Sequence, residues 1–138
     1  MLRLVYISHA VRAATPELML ANLAVGRRWA GFVRDAGVVS YNPLGAHQIE
    51  TVAHAEMVMG AGLDDTMLAF DKFFLSHLAL WLPRHEAGVL FCPGWRNSAG
   101  CKEEFDWAHD AHLGCFDADG ASPDDVRAWL HGDPEAAE

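Results

Sequence analysis

Apolar residues along this chain fall into two alternating kinds of run. The short kind is rich in Val, Ile, Tyr and Phe: Leu2 to Ser8, Val38 to Tyr41, Gly88 to Cys92, and Cys115-Phe116. Runs of this length and composition predict buried strands. In the longer kind, apolar residues recur every three or four positions, the period of a helix. The first opens at Thr15-Pro16-Glu17, with Thr as N-cap and Pro at the first helical position. Leu18, Leu20, Leu23, Val25, Trp29, Phe32 and Val33 carry it to Asp35, and Gly37 ends it. A second runs from Leu63 to Leu82, opened by Asp64 or Asp65 and broken by Pro83. A third covers roughly Ala99 to Leu113, and a fourth opens at Ser122-Pro123-Asp124-Asp125 and reaches about His131. Leu44 to Gly62, rich in Ala, Met and His, reads as partly helical.

Strands alternating with helices predict an α/β domain: a three-layer Rossmann-like fold with a mostly parallel sheet of about four to five strands. The first strand, helix and second strand form a βαβ unit, whose crossover is expected to be right-handed. Residues 1–131 are expected to form a single domain and the acidic stretch 132–138 a frayed tail.

Composition narrows the function classes. The 138 residues carry a net charge of −9. With no basic stripe to release counterions, neither nucleic acid nor an anionic membrane is an expected partner. No apolar run reaches the roughly 18 residues that span a bilayer. The segment Met1 to Tyr6 is too short and too strand-like for a signal peptide. Cys92, Cys101 and Cys115 are an odd number without metal-type spacing, as reduced thiols in a cytoplasmic protein would be.

The chemistry concentrates at Pro93-Gly94-Trp95-Arg96-Asn97-Ser98-Ala99-Gly100-Cys101-Lys102-Glu103-Glu104, a loop joining a strand to a helix. Open α/β sheets place ligands at such loops. On the helix, Glu103, Asp106 and Asp110 share one acidic, solvated face. Cys101, Glu104, Phe105, Ala108, Ala111 and His112 follow the opposite, largely apolar pattern. Glu104 is therefore a carboxylate on the wrong face. A buried carboxylate is costly, so it is either paired, with Lys102 or Arg96 as candidates, or kept for use. Ser98 is placed to cap the helix. With the amides of Ala99 and Gly100 it is equally placed to hold a phosphate, and Gly100 leaves room for close approach.

The pattern Pro93-Gly94-Trp95-x-x-Ser98-x-Gly100-x-x-x-Glu104-x-x-x-Ala108 resembles the nucleoside 2-deoxyribosyltransferase superfamily, closest to its small phage and bacterial branch. Val5-Tyr6-Ile7-Ser8-His9-Ala10-Val11-Arg12 is similar to that superfamily's first strand and loop, and Asn42-Pro43 follows the second strand as expected. The resemblance covers roughly Leu4 to Phe116. It implies cleavage of an N-glycosidic bond, by hydrolysis or base transfer, through a covalent glycosyl ester on Glu104. It implies Tyr6 as the residue orienting that nucleophile. Asp71 is the best match to the acid near the departing base, with His77 second. The transferases carry an acidic residue six positions before the nucleophile, where the nucleotide hydrolases carry Ser. Ser98 therefore points to a nucleoside 5′-monophosphate, with Arg12 as the matching phosphate ligand. His9-Ala10 departs from the family, which often has Gly after the first strand. Because the carboxylate carries the covalent step, no metal or organic cofactor is expected.

The remaining candidates are secondary. His9 and His47 stand near the substrate loops. Trp95 is placed either to stack on a base or to wedge beneath the loop. His47, Glu50 and His54 share a helical face, but without a thiolate or third clustered His no metal site is expected. His109 and His112 read as surface or interface residues. The apolar stretch Met57 to Leu82 is more than one small sheet face requires, so a homo-oligomer, dimer or higher, is expected.

Overall fold

The computed structural model describes residues 2–11, 13–42, 49–62 and 86–132. The expected helix from Leu63 to Leu82 falls outside these residues, as do Arg12, His47, Asp71, His77 and all but the first residue of the acidic tail.

The described residues form β1 (Leu4–Ser8), α1 (Pro16–Asp35), β2 (Val39–Tyr41), α2 (Val52–Gly60), β3 (Ala87–Phe91), a 3₁₀ turn (Trp95–Asn97), α3 (Ala99–Asp110), β4 (Gly114–Asp117) and α4 (Pro123–Leu130). The four strands make one sheet in the order β2-β1-β3-β4, and every pairing is parallel. Leu4 to Ser8 register with Ala87 to Phe91, and Gly88 to Phe91 with Gly114 to Asp117. This is a three-layer Rossmann-like α/β fold.

The pleat of β1 sorts its residues between two cores. Val5 and Ile7 join Leu90 and Phe116, packed beneath Val33 of α1 and Val126, Trp129 and Leu130 of α4. Tyr6, Val89 and Phe91 face the other way, against Cys101 and Ala108 of α3. A third, smaller core joins Met19 and Leu23 of α1 to Ile49 and to Ala55 and Val58 of α2. Burial on both faces explains why the central strands read as continuous apolar runs rather than alternating ones.

Boundaries move by small amounts, with local causes. The first strand begins at Leu4, because the amides of Arg3 and Leu4 turn to the Glu86 carbonyl and that of Leu2 to Leu130. The third strand ends at Phe91 rather than Cys92, yet the Cys92 amide still donates to the Ser8 carbonyl at 2.9 Å. Thr15 and Ser122 cap their helices as expected, and Ser122 forms a capping box with Asp125. The third helix stops at Asp110, short of Leu113. His112 adopts φ 59°, its amide returns to the His109 carbonyl, and the Leu113 amide returns to that of Ala108. That double closure is a Schellman ending, usually built on glycine.

One close approach fixes α1 on the sheet. A Cβ on Gly26 would lie 2.3 Å from the ring of His9. His9 is buried and cannot swing away. Gly26→Ala is therefore expected to lower stability by about 1–3 kcal/mol, despite alanine's better helix propensity. Denaturant titration checks this, and the penalty should largely vanish in the background of His9→Ala.

Candidate active site

The strand order defines a crevice. The chain leaves β1 toward β2 on one side, while β3 and β4 extend on the other. Ligands in open parallel sheets bind outside the carboxyl ends of the strands at such a reversal. Around it stand Ser8 and His9 after β1, Asn42 after β2, and Cys92 to Ser98 leading from β3 into α3.

Glu104 points inward, at 6% exposure, with its Oε2 sealed from solvent. Its neighbour Glu103 is exposed, as the helical pattern predicts. The Ser8 hydroxyl donates to Glu104 Oε1 at 3.5 Å, long for an O–H···O bond. Cys101, one turn earlier, is buried. Burial raises its thiol pKa, against the lowering influence of the nearby Ser8 and Ser98 hydroxyls. Tyr6 lies on this same face of β1, two residues before Ser8, buried and 5.9 Å from Tyr41 between ring centroids. Glu104 sits beyond the first turn of α3. The macrodipole is weak there, so its surroundings matter more than the helix end.

Ser98 is the N-cap: its Oγ accepts from the Cys101 amide at 3.3 Å. Gly100 is half-buried in the first turn. The amides of Ala99 and Gly100 belong to the part of a helix that has no intrahelical acceptor.

Arg96 does not reach Glu104. It pairs with Asp117 and with Asp119, the latter at 3.0 Å. Asp119 also accepts from the Gly94 amide at 2.9 Å, and Asp117 from Trp95 Nε1 at 2.9 Å. Gly94 holds φ 88°, which a residue with a side chain adopts only under strain. Two carboxylates at the end of β4 thus clamp the whole loop. Sequence reasoning missed them, although an Asp-x-Asp pair directly after a predicted strand is a signal.

Trp95 is the wedge rather than a stacking platform. At 6% exposure it packs on Phe91, stacks on Phe105 at 5.1 Å, and carries the Arg96 guanidinium over its ring. His109 stacks on Phe105 and stays exposed, as does His112. Trp95, Arg96, Phe105, His109, Cys115 and Asp117 line a groove of about 460 Å³ beside β4.

His9 sits at the crevice but is tied into the scaffold. Its Nδ1 lies 2.9 Å from the Ala10 carbonyl and its Nε2 3.2 Å from Asn42 Oδ1. Burial pushes its pKa below the ordinary histidine value, against the opposing effect of those bonds. Arg27 adds positive charge nearby and donates to the Ile49 carbonyl at 2.8 Å.

Glu50 and His54 are exposed, and the described residues hold no cluster of His, Cys, Asp and Glu able to bind a metal. The described cysteines are all free. No described helix is long and apolar enough to cross a membrane. No family model matches the chain, and neither does any curated protein or solved structure.

The loop clamp has a pH signature. Burial works to raise the pKa of Asp117, but hydrogen bonds from Trp95, the Asp119 amide and Arg96 together hold it below the ordinary aspartate value. Its stabilising contribution is complete above the unfolded value and is lost as pH falls through the lower folded one. Asp117→Asn should remove that acid limb and speed amide exchange across residues 93–98, read by hydrogen exchange with mass spectrometry.

Proposed function

We propose that this protein cleaves the N-glycosidic bond of a nucleoside 5′-monophosphate, with Glu104 as nucleophile. The observation that carries the reading is the burial of Glu104 against Ser8 at the crevice where the connections leaving β1 and β3 part to opposite sides. An ionised carboxylate kept from bulk water and held on rigid elements is what covalent glycosidic chemistry needs. Glu104 attacks C1′ and the C–N bond breaks. The base leaves with the bonding electrons and takes a proton from an acid, a role for which Asp71 is the sequence candidate. Water, or a second base, then attacks C1′ and releases Glu104. The resemblance to nucleoside 2-deoxyribosyltransferases supports the same assignment, with Tyr6 beside the nucleophile. Ser98, the first-turn amides around Gly100 and Arg12 supply the phosphate contacts. His9 shapes the crevice wall through Asn42, and His47 follows the second strand close to it in sequence.

Incubation with nucleoside monophosphates and free nucleosides, with and without acceptor base, followed by chromatography, tests this. Base release from monophosphates is expected, falling more than about a thousandfold in Glu104→Gln. Release from free nucleosides alone would overturn the phosphate assignment.

The sealed Oε2 favours a second reading, a module that binds a nucleotide without turning it over. Thermal stabilisation by monophosphates without base release distinguishes it.

The assembly proposed is a homo-oligomer. Met57 is 72% exposed on α2, and Val52 is exposed on the same helix. Light scattering should give at least a dimer mass, reduced in Met57→Glu.

A further inference from the structure

We propose that His9 is a positioning residue at the crevice: the proton it carries sets which edge of the Asn42 amide faces the ring and which is turned away. The geometry leaves two arrangements. His9 Nδ1 lies 2.9 Å from the Ala10 carbonyl, and Nε2 lies 3.2 Å from Asn42 Oδ1. A carbonyl only accepts, so Nδ1 carries a proton. As an imidazolium, His9 donates from both nitrogens and the Asn42 oxygen faces it. As a neutral ring, its Nε2 lone pair needs a donor, so the amide is turned to bring Nδ2 to the same place. The two ends of an amide are alike in shape, and the hydrogen bonds around them decide their order.

The surroundings choose between the two. His9 is 4% exposed, and burial disfavours the charged ring. Arg27 on α1 is the charged side chain acting on it among the described residues, and its positive charge works the same way. The Ala10 and Asn22 carbonyls and the Asn42 oxygen favour the cation, but burial outweighs them. With α1 closed against the ring at Gly26, the ring has no room to leave. At neutral pH His9 is therefore uncharged, with Asn42 donating to it. Below its lowered pKa it becomes the cation, and the amide reverses. Asn42 directly follows β2 at the crevice. The edge of its amide turned from His9 thus changes there from acceptor to donor as the ring takes up a proton. An amide oxygen accepts two hydrogen bonds, so the neutral state suits a hydroxyl of the substrate sugar. That last step rests on the proposed glycosidic reaction; the coupling of His9 to Asn42 does not.

The test follows the ring nitrogens of His9 by nitrogen NMR across pH in full-length wild type, Asn42→Asp and His9→Gln, the last identifying the His9 signals by their absence. Near neutral pH, wild type should show a protonated Nδ1 and a bare Nε2. Two protonated nitrogens, or the proton on Nε2, overturn the proposal. The side-chain amide of Asn42, identified by its absence in Asn42→Asp, should shift with the same midpoint as His9, and an amide that ignores that titration overturns it. In Asn42→Asp the group facing Nε2 is an acceptor in either orientation, so the His9 midpoint should rise by about one to three pH units; an unmoved midpoint overturns the pairing. Base release supplies the second readout. As pH falls through the His9 midpoint, the wild-type KM should rise roughly three- to tenfold beyond any rise that His9→Gln shows, the worth of one neutral hydrogen bond. A KM that follows the same course in both overturns the positioning role. Absence of base release from every monophosphate removes the proposed reaction instead, and the NMR midpoints then decide the coupling alone.

Discussion

A carboxylate enclosed by protein is the constraint around which this structure is built. Taking an ion out of water is expensive, and the cost is offset only where the group is charge-stabilised and held in place. In this fold Glu104 is enclosed between α3 and the carboxyl end of β1, and Ser8 reaches it from the strand. The parallel pairing of β1 with β3 brings that strand end beside the loop leading into α3. The fold's reversal point and a buried carboxylate coincide.

The loop that delivers α3 is held from outside the crevice. Arg96, Gly94 and Trp95 are bound to Asp117 and Asp119, and Trp95 is packed between the aromatic side chains of β3 and α3. On the other flank, His9 locks β1 to α1 through the space that Gly26 leaves. The crevice is therefore braced on both sides.

Much of this was legible in the chain because it is local. Helical periodicity separated Glu104 from Glu103, and Thr15, Ser98 and Ser122 announced their helices, since capping acts over three residues. Continuous apolar runs marked strands buried on both faces. What was not legible acts over long separations. Ser8 meets Glu104 across 96 positions and Gly94 meets Asp119 across 25. No periodicity encodes such pairings, which follow only once strand order is known. Trp95 was open to two readings because an indole suits either; the Asp117 partner decided for packing. The ending of α3 was missed because His112 takes a backbone conformation that glycine usually supplies.

The clamp on residues 93–98 has a thermodynamic consequence. Freezing a loop costs roughly 1–2 kcal/mol per residue in backbone entropy. Here two aspartates, one ending β4 and one just beyond it, discharge that cost during folding. For the phosphate site proposed at the start of α3, the amides would already be ordered before binding, and affinity would not be diminished by ordering them. A loop of the same residues lacking its acidic anchor would present the same chemical groups with a weaker hold.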